Sequence, residues 1–185
     1  MLDAARTAFA QKGFDGATVR GIAAAAGVDP ALVHHYFGTK DALFLAAVDA
    51  PADPEELLPE VLDGDPAQLG ENIVAVFLRV WDGPMRPAGL ALVRSAVGNE
   101  WSARLLREFL TARVLRRVVA TLEGPAAERE ARGALVGSQL VGLVMARYVL
   151  RLEPLASADA ATLVATIGPT LQRYLTGELP AVFPP

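Results

Sequence analysis

The side chains with the widest chemical range in this chain sit in one short stretch. It holds both histidines, His34 and His35, followed at once by Tyr36, with Thr18 and Arg20 upstream and Thr39 and Lys40 downstream. Three chemistries compete for them. A metal site is disfavoured because neighbouring residues on a helix project about 100° apart, so His34 and His35 cannot close on one ion. No cysteine is present to complete a ligand set. Catalysis is disfavoured too: Ser95, Ser102, Ser138 and Ser157 stand in no nucleophile-turn context, and there is no glycine-rich phosphate loop. Contact with a phosphate backbone and with base edges fits better, because it uses hydroxyls, imidazoles and cations on an exposed helix face. No cofactor and no metal are expected. Imidazole titrates near neutrality, so a nucleic-acid complex is expected to be tighter and less specific at pH 6 than at pH 8.

The elements around these residues are marked by their backbone requirements. A first helix covers about residues 2–12, burying Leu2, Ala5 and Phe9, and is expected to close at Gly13. Thr18 caps a second helix that stops at Gly27, and Asp29 caps a third with Pro30 in its first turn, where a missing N–H costs nothing. Gly38 ends the third helix, and Thr39 caps a fourth that reaches about Val48. Ala23 is small where two helices must touch, and Gly27 takes the positive φ of the turn. Ile22, Ala26, Val28, Val33 and Phe37 serve as anchors towards Phe9 and Phe14, with Leu43 and Phe44 closing the underside. Packing then leaves over Ala31, His34, His35 and Tyr36, on a face that solvent alone would populate with Lys and Glu. That is the arrangement by which a small helical domain inserts a helix into the DNA major groove.

The segment FDGATVRGIAAAAGVDPALVHHYFGTKDALFLAAV resembles the N-terminal domain of the TetR family of bacterial transcriptional repressors. The shared features are the glycine–aromatic lead into a threonine cap, the I-A-x-x-A-G-V turn, a third helix ending in His, Tyr and Phe, and the G-T-K start of the fourth. The match covers about residues 2–48. The resemblance implies an all-α homodimer: a three-helix helix-turn-helix DNA-binding domain, then a larger helical ligand-binding and dimerisation domain whose last two long helices form the interface. By motif position Arg20, Ala31, His34 and His35 fall at or near base-edge contacts, and Thr18, Tyr36, Thr39 and Lys40 at backbone contacts. Ala31 would admit a thymine methyl. Members commonly carry a polar arm before the first helix, whereas this chain begins almost inside it, so no contribution from an arm is expected.

The chain has 185 residues, 52% hydrophobic, with a formal net charge of −4. Residues 1–48 are neutral, four basic side chains (Arg6, Lys12, Arg20, Lys40) balancing four acidic ones. Placed contacts rather than a basic field must therefore hold DNA. The lack of cysteine and of a signal-like start points to the cytoplasm. Three regions are expected: a DNA-binding domain over 1–48, a Pro- and acid-rich connector over 49–66 with one short helix at Pro54–Leu62, and a regulatory domain over 67–185. Periodicity predicts helices at about 67–81, 87–97, 102–122, 125–151 and 158–176, then an irregular tail. Residues 134–152 are the most hydrophobic, but Ser138, Gln139, Arg147 and Arg151 interrupt them, which favours a buried helix over a membrane span.

Two sets of regulatory residues follow. Phe77, Trp81, Met85, Trp101, Phe109, Met145 and Tyr148 could line an apolar pocket for a small-molecule inducer, with Arg94, Gln139 and Arg147 orienting a polar or anionic group. Each could equally be plain core or a solvent-reaching cation. Gly137, Ser138, Val141, Gly142 and Met145 on one helix, with Leu163, Ile167, Leu171 and Tyr174 on the last, could form a two-fold four-helix interface. A pair of subunits would set two reading helices one DNA turn apart, roughly 34–36 Å, on a palindromic operator. The alternative is a helical small-molecule-binding or scaffold dimer whose hairpin does not bind DNA.

Overall fold

The computed structural model describes residues 1–48, 54–84 and 86–179, and every regular element among them is helical. The chain divides into two compact units, residues 1–53 with 87–112, and residues 54–86 with 113–185.

In the first unit α1 spans Leu2–Gly16, α2 Val19–Ala25, α3 Pro30–Phe37 and α4 Lys40–Val48. The helix expected to stop at Gly13 runs on to Gly16. A mid-helix glycine costs only about 1 kcal/mol, and continuing the helix places Phe14 in an aromatic cluster. Its ring lies 6.1 Å from that of Phe9 and 5.1 Å from that of Phe44, and Phe9 and Phe44 meet edge to face at 4.8 Å. Phe9 and Phe44 are fully buried, as are Ile22, Ala23 and Leu43. Arg6 Nε donates to the Ala47 carbonyl at 2.9 Å and ties α1 to the end of α4.

The turn chemistry is as the sequence requires. Thr18 Oγ1 accepts from the Gly21 N–H at 3.1 Å, Asp29 Oδ1 from Ala31 at 2.7 Å and Thr39 Oγ1 from Ala42 at 3.0 Å. Gly27 (φ 66°) and Gly38 (φ 70°) adopt the left-handed backbone that end α2 and α3. Helices α7 (Arg86–Gly98) and α8 (Glu100–Glu108) were expected in the regulatory region; from residue 87 onward they cluster with the first unit. Glu108 Oε2 accepts from the Phe14 N–H at 3.1 Å, and Leu105 is buried.

The second unit contains α5 (Pro54–Leu62), α6 (Leu69–Asp82), α9 (Arg116–Ala120), α10 (Ala126–Val144) and α11 (Ala160–Thr176). Helix α5, which the sequence assigns to a connector, is part of this core through Leu58 and Val61. The long helices expected over 102–122 and 125–151 are interrupted by π-helical stretches at Phe109–Leu115 and Met145–Val149. Helices α6 and α11 approach closely where Gly70 faces Gly168. A Cβ on Gly70 would lie 2.3 Å from the Gly168 carbonyl oxygen. Gln172 locks the crossing, accepting from the Gly70 N–H at 2.8 Å and donating to the Pro66 carbonyl at 3.1 Å.

Candidate nucleic-acid interface

Helix α3 is eight residues long and buries one side. Val33 is 2% exposed and Phe37 half-buried, which aims the remaining positions outward. Ala31, His34 and His35 are exposed, and Tyr36 is 68% exposed. Leu32, absent from the residues singled out by sequence, is also exposed at 40%. It stands three and four positions before His35 and Tyr36, which was the available signal. Thr18, Arg20 and Thr39 are exposed beside this face in sequence, and Lys40 is half-buried with Nζ 4.6 Å from the centre of the Phe14 ring.

Three of the outward side chains are held in place. The His35 and Tyr36 rings meet edge to face at 5.3 Å. His34 Nδ1 lies 3.0 Å from the Gly38 carbonyl oxygen, while the Gly38 N–H donates to the His34 carbonyl at 2.8 Å. The Thr18 and Thr39 oxygens accept capping bonds, which leaves each hydroxyl its proton to donate.

The residues expected to line a pocket separate. Phe77, Trp81, Arg147 and Tyr148 do come together in the second unit. Phe77 and Trp81 are 5.8 Å apart, and Trp81 stacks on Tyr148 at 5.5 Å. They surround a polar network centred on Asp82. Tyr148 donates to Asp82 at 3.1 Å, Arg86 pairs with Asp82 at 3.1 Å, and Arg147 lies 3.4 Å from its other oxygen. Arg147 Nη1 donates to the carbonyls of Leu155 and Ala158, both at 2.8 Å, so this arginine closes the segment between α10 and α11. Burial and the facing Asp82 carboxylate push the Tyr148 phenol up to about 12. Gln139 and Met145 are half-buried, and Phe109 is buried in the first unit. Met85 and the side chains of Arg94 and Trp101 fall outside the described residues.

A cleft of about 540 Å³ opens elsewhere in the second unit, lined by Val61, Leu62, Leu69, Leu122 and Leu175 with Arg132 among them. Arg132, which the sequence did not single out, is 8% exposed and binds Glu128 at 2.6 Å and the Tyr174 carbonyl at 2.8 Å.

The expected dimer residues divide in a similar way. Leu163 and Leu171 are buried within the subunit, and Ile167 and Tyr174 pack against the same core, because that stripe of α11 faces α6. Gly137 faces inward as well, a Cβ there meeting Leu115 at 3.1 Å. Ser138, Gly142 and Val141 (43% exposed) remain on the surface, with Ala134 one turn before Ser138.

Three short helices, a glycine turn and an outward polar–aromatic face define an all-helical DNA-binding protein of the helix-turn-helix class. Residues 67–175 match the family model "Tetracyclin repressor-like, C-terminal domain", and residues 1–47 match "Bacterial regulatory proteins, tetR family". The HTH-type transcriptional regulator BetI of Stenotrophomonas maltophilia is 33% identical over 150 residues, 69% of this chain and 76% of that protein. A BetI from Brucella anthropi is 52% identical over 48 residues, which make up 26% of this chain and 25% of that protein. A crystal structure of a TetR-family regulator from Streptomyces coelicolor A3 aligns with a TM-score of 0.53 at 37% identity, covering 95% of this chain and 92% of that one. The chain belongs to the TetR family and is a DNA-binding transcriptional regulator. Among the described residues no helix is long and apolar enough to cross a membrane.

Proposed function

We propose that the protein is a homodimeric repressor that is released from a pseudo-palindromic operator by a small-molecule inducer. The observation that carries the reading is the division of α3, with Val33 in the core and Ala31, His34, His35 and Tyr36 outside it. In this reading α3 lies in the major groove, where Ala31, His34 and His35 meet base edges and Arg20 approaches them. Thr18, Tyr36, Thr39 and Lys40 hold the phosphates. A first unit without net positive charge gains little from bulk attraction, so two copies acting together are needed for useful affinity.

The surface offered for pairing is the strip of Ala134, Ser138, Val141 and Gly142 on α10, whose small side chains admit a close partner helix. The inducer is a largely apolar molecule, and the cleft beside Arg132 is a space in the second unit suited to one. Binding there represses less only if the inducer prefers a dimer whose reading helices no longer match successive grooves. Such a protein works where the chromosome is, in the cytoplasm.

A salt series of gel shifts on the DNA upstream of the protein's own gene tests this reading. A repressor of this design gives a log affinity that falls steeply and linearly with log salt. A helical scaffold without DNA binding gives no shift at any salt. Sedimentation of Val141→Arg should report monomer where the unaltered chain reports dimer.

A further inference from the structure

We propose that His34 reads its base as a hydrogen-bond acceptor through Nε2, taking a proton from an exocyclic amine, N6 of adenine or N4 of cytosine. The inference rests on α3 entering the major groove and adds to that reading the kind of base atom one residue selects.

The argument begins at the end of the helix. Gly38 takes φ 70°, which terminates α3 and turns its carbonyl back towards the preceding turn. His34 Nδ1 lies 3.0 Å from that oxygen. A carbonyl has no proton to give, so Nδ1 must be the donor. A neutral imidazole carries one ring proton, and with Nδ1 holding it Nε2 is a bare lone pair. The clamp works in both directions, because the Gly38 N–H donates to the His34 carbonyl at 2.8 Å. His35 differs: its edge-to-face contact with Tyr36 does not choose a tautomer. Of the two adjacent imidazoles, His34 is the one whose tautomer the fold sets.

The major groove makes this a selective device. Adenine and cytosine present amine donors there, whereas guanine and thymine present only acceptors, against which a bare Nε2 is repelled. Gly38 thereby becomes a positioning residue for base choice. A Cβ at Gly38 would meet nothing within 4 Å, so its replacement acts through the strained φ and the lost clamp rather than through a clash.

The test uses the full chain and a randomised duplex pool at pH 8. Selections with the unaltered protein and with His34→Ala identify the base pair whose preference depends on His34. Removing the exocyclic amine from that pair, with purine in place of adenine or the 4-deamino analogue in place of cytosine, should weaken the unaltered protein roughly 5- to 100-fold. The same change should leave His34→Ala indifferent. His34→Arg, a donor only, should select guanine in place of the amine-bearing base, and Gly38→Ala should blur preference at the same position while circular dichroism reports an intact fold. Two results overturn the proposal: no base pair depends on His34, or the dependent pair tolerates amine removal and responds instead to 7-deazaguanine. Failure of the groove reading itself looks different, since the pool would then yield no half-site motif with any of these proteins. If His34→Ala binds no DNA, amine removal with the unaltered protein still decides the matter.

Discussion

Helices α3 and α10 both carry polar side chains where a packed helix has little use for them, and they place those side chains in opposite ways. On α10 and its π-helical continuation, Arg132 and Arg147 turn inward and satisfy main-chain carbonyls, Tyr174 for the first and Leu155 and Ala158 for the second. On α3, His34, His35 and Tyr36 stay outside, and their contacts with protein lie within α3 or its cap. The difference comes from the surroundings. The second unit has chain ends and an interhelical segment whose carbonyls lack helical partners, and arginine reaches them. Around α3 the first unit closes its turns with short caps and glycines, and its arginine-to-carbonyl bond, from Arg6 to Ala47, lies away from that helix at the end of α4. A polar residue that interrupts an apolar run is therefore weak evidence for a ligand until the nearby unpaired carbonyls have been counted.

The comparison can be broken first at the support beneath α3. Phe44 is fully buried at the centre of the aromatic cluster, so Phe44→Ala should cost about 3–5 kcal/mol of stability, read by urea unfolding, and should remove DNA binding with it. The second unit should respond less. Arg132→Met leaves the Tyr174 carbonyl without its donor and should cost about 1–3 kcal/mol. The folded protein should select the same DNA motif as before, and a changed motif would make Arg132 more than structural.

A smaller effect concerns the network around Asp82. Tyr148 is raised to about 12 from 10.0, so its folded-state preference for the protonated phenol stabilises the protein fully below pH 10. That contribution is lost as pH rises from 10 towards 12. An ultraviolet titration should find one of the three tyrosines ionising last, and Tyr148→Phe should remove that late phase.

Much of the first unit was legible because its signals are local. Thr18, Asp29 and Thr39 cap within three residues, Gly27 and Gly38 occupy the two positive-φ turns, and the outward face of α3 follows by subtraction. The extension of α1 past Gly13 was not legible, because it depends on Phe44 and on Glu108, 94 residues from Phe14. The same limit applies to α11. The stripe Leu163, Ile167, Leu171 is visible in the sequence, but periodicity cannot say whether it meets α6 of the same chain or a second subunit. In the structure Gly70 and Gly168 let α6 come close, and Leu163 and Leu171 of that stripe are buried within the chain. Arg147 was visible as an interruption of an apolar run, and only the carbonyls of Leu155 and Ala158 explain it.

The claim that the outward side of α3 docks on DNA is tested most directly by duplex affinity for Tyr36→Ala/Lys40→Ala beside the unaltered protein at matched salt, with unfolding curves for both. Tyr36 is 68% exposed, and in the proposed docking Lys40 is one of the cations facing the phosphates. The account predicts weaker binding to all duplexes alike and a salt slope shallower by roughly one, with a folding transition still in place. Unchanged affinity and slope in the double variant would contradict it.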